Sequence, residues 1–268
     1  MQKRLPKSLV SEYSTIYFSK DSIEEKKKFI IREVKYNILI NGKKFTSVML
    51  LPDKLKEFVY GFLYTSGIIE KAEDIIHFRV CDENNIYIYL SDIHFDITNK
   101  MEWTVTSGCG GGKVLENTYK AIEKVDTSFT TTFEEIIDLF EKLEEDSFLY
   151  AQTRCAHKAF FKSNDNFHFT CEDIGRHNTI DKCIGAVLLN NSSFDCGIIL
   201  TTGRLTSEMI LKCVKAKIPI VVSRTAPSEE GINIAKNAGI TLVGLTSKRG
   251  FTVFCHSERI IKKGKFKK

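Results

Sequence analysis

No stretch of this 268-residue chain approaches the roughly 18 to 20 consecutive apolar residues that a bilayer-spanning helix needs, and the opening MQKRLPKSLVSEYS holds no apolar signal core. A cytoplasmic protein without membrane contact is expected. Nor does the chain contain a CxxC pair, although it has eight cysteines, scattered from Cys81 to Cys255. Zinc sites draw on close Cys/His groupings, and Cys155 with His157 lacks a second pair, so no metal of its own is expected. A scattered set in a mid-sized chain also argues against a disulfide framework. A broad basic surface is missing too. The formal net charge is +5, but Arg259 to Lys268 supplies six basic residues and no acidic one, which leaves the rest with one net negative charge. That excludes a protein that coats nucleic acid, and the lysine-rich end reads as a solvated, frayed tail.

What is present is a chain that is 43% hydrophobic, long enough for a large core or two modest ones. The first third predicts strands: Phe29 to Ile40, a turn at Asn41-Gly42, then Lys44 to Leu51. Leu55, Phe58, Val59 and Phe62 predict a helix over Lys54 to Tyr64, stopped by Gly67. Phe78 to Val80, Ile86 to Leu90 and Trp103 to Thr106 read as further strands. From Gly112 to about Phe148 the periodicity is helical, with Phe133, Ile136, Ile137, Phe140 and Leu143 as its apolar stripe. A hairpin follows (Ala159 to Phe161, Phe167 to Thr170). Helices Asn178 to Leu189, Thr206 to Val214 and Ser228 to Asn237 then alternate with strands Gly197 to Leu200, Ile218 to Val222 and Thr241 to Val243. Phe251 to Cys255 is a last strand. The fold class is α/β: a mainly parallel sheet covered by helices, behind a smaller α+β domain.

Three kinds of segment could carry chemistry. Thr106-Ser107-Gly108-Cys109-Gly110-Gly111-Gly112-Lys113 leaves a strand and enters a helix. Its glycines leave the Cys109 thiol accessible, and the helix start and Lys113 favour the thiolate. It is no phosphate-binding P-loop, because Ser107 and Val114 replace the required Gly and Ser/Thr. It is no dinucleotide fingerprint, because Lys113 replaces the last Gly. The second kind is the polar strand-to-helix junction Cys171 to Lys182, with Arg176 and His177 where a helix start favours anions. Two similar junctions follow, Thr201 to Glu208 and Ser223 to Ser228. Loops at the carboxyl ends of parallel strands share one edge, so Arg176, Arg204 and Arg224 should converge beside Thr202, Thr206, Ser207, Ser223 and Thr225. That is a setting for pyrophosphate. The third is Thr153 to Ala159: His157 sits where a zinc deaminase's H-x-E begins, but Ala159 replaces the glutamate and no PCxxC follows. His157 reads equally as a site residue or a structural one.

The segments EDIGRHNTIDKCIGA (172–186), TTGRLTSEMILKCVKAKIPIVVSRTAPS (201–228) and GITLVG (239–244) resemble the formate dehydrogenase accessory sulfurtransferases, the FdhD family, over roughly residues 30 to 258. The resemblance implies residues 1–125 as the N-terminal domain carrying the Cys109 loop and the helix after it. It implies 126–258 as a cytidine-deaminase-like three-layer cofactor-binding domain, with 259–268 as a basic tail. It implies a sulfurtransferase that takes sulfur from a cysteine desulfurase as a Cys109 persulfide. The acceptor would be molybdenum bis(molybdopterin guanine dinucleotide), destined for the formate dehydrogenase catalytic subunit. It implies a homodimer binding the cofactor's guanine ends, with GDP as partial mimic. The matching cofactor contacts are Asp173, Arg176, His177, Asn178, Thr202, Gly203, Arg204, Ser207, Ser223, Arg224 and Thr225, with Leu245, Thr246, Ser247, Lys248, Arg249 and Gly250 after the last parallel strand. Members often carry CxxC in the glycine loop, whereas here Gly112 takes the second cysteine's place. A module that holds the cofactor without sulfur chemistry is the competing reading.

Overall fold

The computed structural model describes residues 6–81, 84–91, 124–145 and 148–262. The expected strand Trp103 to Thr106, the Cys109 loop, the helix start at Gly112 and the last six residues lie outside them. No helix among the described residues is long and apolar enough to cross a membrane.

The chain opens with an antiparallel ribbon, β1 (Val10–Phe18) against β2 (Ile23–Ile31). The single strand expected from Phe29 to Ile40 is therefore two, broken at Arg32 and Glu33. Strand β3 (Val34–Ile40) starts a separate sheet with β4 (Lys43–Leu50), β5 (Ile75–Cys81) and β6 (Asn85–Leu90), in the order β4-β3-β6-β5. Asn41 (φ 47) and Gly42 (φ 78) both take positive φ, as a two-residue hairpin turn of right-handed twist requires. Helix α1 (Leu55–Thr65) buries Phe58, Val59, Phe62 and Leu63 in a core shared with Ile38, Ile40, Val48, Ile86 and Ile88.

Helical structure begins later than the periodicity suggested. Residues 124–130 are irregular and Thr131–Thr132 is a short strand, β7, before α2 (Phe133–Glu145). The reason is local: Thr132 Oγ1 accepts from Glu135 N at 3.1 Å, so the threonine caps the helix instead of entering it. After α3 (Phe148–Thr153) come β8 (His157–Ser163), β9 (His168–Asp173), α4 (Arg176–Leu189), β10 (Gly197–Thr201), α5 (Ser207–Lys215), β11 (Ile220–Ser223), α6 (Glu229–Ala238), β12 (Thr241–Ser247), β13 (Gly250–Cys255) and β14 (Ile260–Ile261). The six-stranded sheet runs β13-β12-β11-β10-β8-β9. It is mixed rather than mainly parallel: only β10–β11 and β11–β12 pair in parallel, because β8–β9 and β12–β13 are antiparallel neighbours joined by short connections. Fully buried apolar runs look alike in either direction.

Successive strand residues serve opposite layers. Ile198 and Leu200 meet Ile136, Leu139, Phe140 and Leu143 of α2. Ile199 meets the other layer, with Ile180, Ile184, Met209, Ile210 and Ile234 from α4, α5 and α6. Helix α4 is buried from Asn178 through Val187, because α1 covers the side that the sheet does not. The two helices touch backbone to backbone: a Cβ on Gly185 would lie 1.8 Å from Glu57 O, and one on Gly61 1.8 Å from Asp181 O. The first residues of the expected basic tail, 259–262, are tied to the rest of the fold. Arg259 donates to Gly239 O at 2.7 Å and Val125 O at 3.3 Å, and β14 pairs with β7. Two carbonyls at loop ends need donors, and Arg259 supplies them.

Candidate functional site

Strand register brings the expected junctions to one edge. His157 pairs with Asp173, Ala159 with Thr201, and Thr201 with Ser223, so the start of β8 and the ends of β9, β10 and β11 stand side by side. The loops are then laced together. Lys158 N donates to Thr202 Oγ1 and Thr202 N to Lys158 O, both at 3.0 Å. Ser223 Oγ donates to Gly203 O at 2.7 Å, and Arg224 N to Thr201 O at 3.1 Å. Leu245 N reaches Thr225 O at 3.1 Å, joining β12 to the same frame. The hydroxyls of Thr202 and Ser223 thus hold loop to loop. Thr225 Oγ1 lies 3.0 Å from Ser223 Oγ.

Much of the polar junction Cys171 to Lys182 faces inward. Glu172 accepts from the N–H groups of Leu149 and Tyr150, both at 3.0 Å, at the start of α3. Asp173 accepts from Gly175 N (3.0 Å), Asn178 Nδ2 (2.8 Å) and Leu51 N (3.2 Å), and pairs with Lys182 Nζ at 2.7 Å. Asn178 also donates to Met49 O at 3.0 Å. Asp173 and Asn178 therefore fix the loop and tie it to the N-terminal sheet. What remains turned to the edge is Arg176 and His177, on the first turn of α4.

Four buried polar side-chain atoms among the described residues have no hydrogen-bond partner: Arg176 Nε, His177 Nε2, Thr206 Oγ1 and Thr246 Oγ1. All belong to loops, helix starts or strand ends at this edge. Glu208 Oε2 lies 3.0 Å from His177 Nε2, but out of line for a hydrogen bond. Helices α4 and α5 both begin here without a side-chain cap, although Thr206 occupies the cap position of α5. A folded protein rarely leaves buried donors unpaired unless something else meets them. Burial and then the charges of Arg176 and Arg204 push the His157 imidazole below its ordinary pKa. Burial, Lys212, Arg176 and His157 take His177 down to about 3. Both rings are neutral at pH 7, and the two arginines share one neighbourhood.

Arg176 is seated on Gly203: a Cβ there would lie 2.7 Å from Arg176 Cβ. Ser207 opens α5 beside these groups. The third arginine turns aside, since Arg224 faces Glu144 of α2 at 3.5 Å, and Lys248 faces Glu141 at 3.7 Å. Leu245, Thr246 and Ser247, expected in a loop after the last parallel strand, belong to β12 itself. Leu245 takes a positive φ of 53 at an irregularity in the β12–β13 pairing. Lys248 and Arg249 form the turn into Gly250. Sequence reasoning missed Lys182 and Glu208. Lys182 was within reach: a lysine on a helix this apolar requires a buried partner.

The strand ends of this mixed α/β sheet thus gather two guanidiniums, two uncapped helix starts and unpaired buried donors, the kinds of group that meet anions. The chain belongs to the FdhD/NarQ family, whose model matches residues 31–261. It is 34% identical to the sulfur carrier protein FdhD of Wolinella succinogenes, over 89% of this chain and 84% of that one. Similar proteins of the same name occur in Sulfolobus acidocaldarius (33% identity, covering 87% and 91%) and Bacillus pumilus (31%, covering 86% and 90%). The crystal structure of a formate dehydrogenase accessory protein from Desulfotalea psychrophila superposes with a TM-score of 0.80 at 32% identity. It covers 94% of this chain and 100% of that one.

Proposed function

We propose that this chain is a sulfur carrier in formate dehydrogenase maturation. Cys109 takes the outer sulfur of a cysteine desulfurase's persulfide by thiolate attack, and the desulfurase thiolate leaves. The carried sulfur then passes to molybdenum bis(molybdopterin guanine dinucleotide) as substrate, with a thiol reductant or the reduced metal centre supplying the two electrons that make it sulfide. The cofactor's guanine nucleotide ends bind along the edge built by residues 173–178, 202–207 and 223–227. A homodimer offers one such edge to each end. The domain that carries the edge we read as cytidine-deaminase-like, with His157 left over from the deaminase motif.

The observation that carries this reading is the set of unpaired buried donors at Arg176, His177 and Thr206, beside two helix starts. A pyrophosphate offers acceptors to all of them. The test has two arms. Calorimetric titration should show GDP binding that Arg204→Ala weakens about ten- to hundredfold, the effect of losing one charge-assisted contact. Incubation with a cysteine desulfurase and cysteine should add one sulfur atom to the Cys109 peptide, and Cys109→Ala should gain none. Nucleotide binding without sulfur uptake would leave a cofactor-holding protein instead.

A further inference from the structure

The β1–β2 ribbon ends in bare apolar surface. It has nine residues per strand and pairs with no third strand among the described residues. Near its tip Ile16, Phe18 and Ile23 are 59%, 69% and 68% exposed. Its base is anchored, because Val10 packs with Leu51 and Leu149, and Ile31 lies against them. Two-stranded ribbons are marginal in water, and a long open edge is a template for another strand.

The turn and the base fix which backbone groups the free edge of β2 offers. Ser19 N donates to Ser22 O at 2.9 Å, and at the other end Arg32 N donates to Leu9 O at 2.8 Å. Hydrogen-bonded and non-bonded pairs alternate along an antiparallel ladder. Glu24, Lys26 and Lys28 therefore aim their backbone groups at β1, and Ile23, Glu25, Lys27 and Phe29 aim theirs outward. The outward strand reads Ile-Glu-Glu-Lys-Lys-Lys-Phe from 23 to 29. Laid antiparallel on a second copy about a two-fold axis through Lys26, this segment complements itself. Glu25 stands opposite the second copy's Lys27 and Ile23 opposite its Phe29, each twice, and these are the outward-facing positions. On the other face Glu24 stands opposite Lys28, again twice. Moving the axis to residue 25 or 27 would set Glu25 on Glu25 or Lys27 on Lys27. Only Lys26 meets its own kind, and it is already held by Glu24 at 2.9 Å and lies 4.0 Å from the Tyr17 ring centroid.

We propose that β2 is a homodimerisation edge, joining two copies through β2 in this register into one four-stranded sheet. The pairing also extends Phe18 and its partner Ile23 by the second copy's Phe29, an apolar row formed twice. The proposal rests on the dimeric reading above and assigns its surface. Sedimentation of the full chain at micromolar concentration should show a dimer. Glu25→Lys or Lys27→Glu, each setting like charges opposite one another twice, should weaken it about tenfold or more. The double reversal should restore it, because acid again faces base. Lys26→Cys should form an interchain disulfide under mild oxidation, above the wild-type background, since residues facing across the axis in a non-bonded pair are within bridging distance. A monomer, single reversals without effect, a double reversal that fails to rescue, or Lys26→Cys that stays uncrosslinked would each overturn the proposal. GDP titration of the same samples separates the two readings. A dimer indifferent to the reversals that still binds GDP overturns only the edge, and one that responds as described but binds no GDP overturns only the nucleotide reading.

Discussion

Helix α4 carries two ion pairs on neighbouring residues, and they are not alike. Lys182 and Asp173 meet at 2.7 Å with both side chains 0% exposed, and backbone or amide donors fill the remaining acceptor sites of Asp173. Asp181 and Lys212 also meet at 2.7 Å, but Lys212 is 18% exposed, and Thr65 of α1 completes the group at 2.8 Å from Asp181 Oδ1. The first pair is sealed behind the strand-end edge and the second opens to water at the helix–helix seam. A charge in a dry site depends wholly on its partner, whereas a charge near water has an alternative. The sealed pair should therefore behave as a fixed joint, and the open one as an adjustable one.

Lys182→Met tests this most severely. It leaves the Asp173 carboxylate without a counter-charge and should cost about 3–5 kcal/mol in urea unfolding. Because Asp173 holds Gly175 and Asn178, GDP affinity should fall with it. Lys212→Met should cost less, about 1.5–2 kcal/mol, since the Thr65 hydroxyl remains and water can approach. Burial already pushes the Asp181 carboxyl up against the pull of Lys212 and Thr65. The loss should therefore shrink as pH falls and the carboxyl takes a proton. Equal costs for the two variants would erase the distinction.

The smallest effect is the one expected over the first pH unit below 6.5. An imidazole held down to about 3 in the folded state leaves the unfolded chain holding the extra proton below about pH 6.5. Stability should thus decline as pH falls through that value and level out near pH 3, by about 1.4 kcal/mol for each pH unit between. His177→Gln should flatten that slope in thermal melts taken between pH 6.5 and 5.5. Lys212→Met should instead move the levelling-out to a higher pH, because Lys212 is, after burial, the next cause of the low value.

The helices α1, α4, α5 and α6 were legible because their apolar residues recur at helical spacing, and the shared strand-end edge followed from alternation of strand and helix. The β1–β2 ribbon was not, since a ribbon wet on both faces has no alternating pattern to read. Polarity misled at the Cys171 to Lys182 junction. Asp173 and Asn178 look like ligand groups in a string of letters, and only the fold shows that they face each other and Lys182 and leave Arg176 and His177 outward. Arg224 was expected to converge with the other arginines. Nothing in its own segment indicates that Glu144, eighty residues earlier, would stand across from it.

The bonds from Arg259 to Val125 and Gly239 bear on how the protein can be shortened. The lysine-rich end looks expendable as one block, yet cutting before Arg259 would strip two carbonyls of their donor and release β14 from β7. Cutting after Lys262 would spare both. The boundary between trimming and unfolding falls inside the basic stretch, four residues into it.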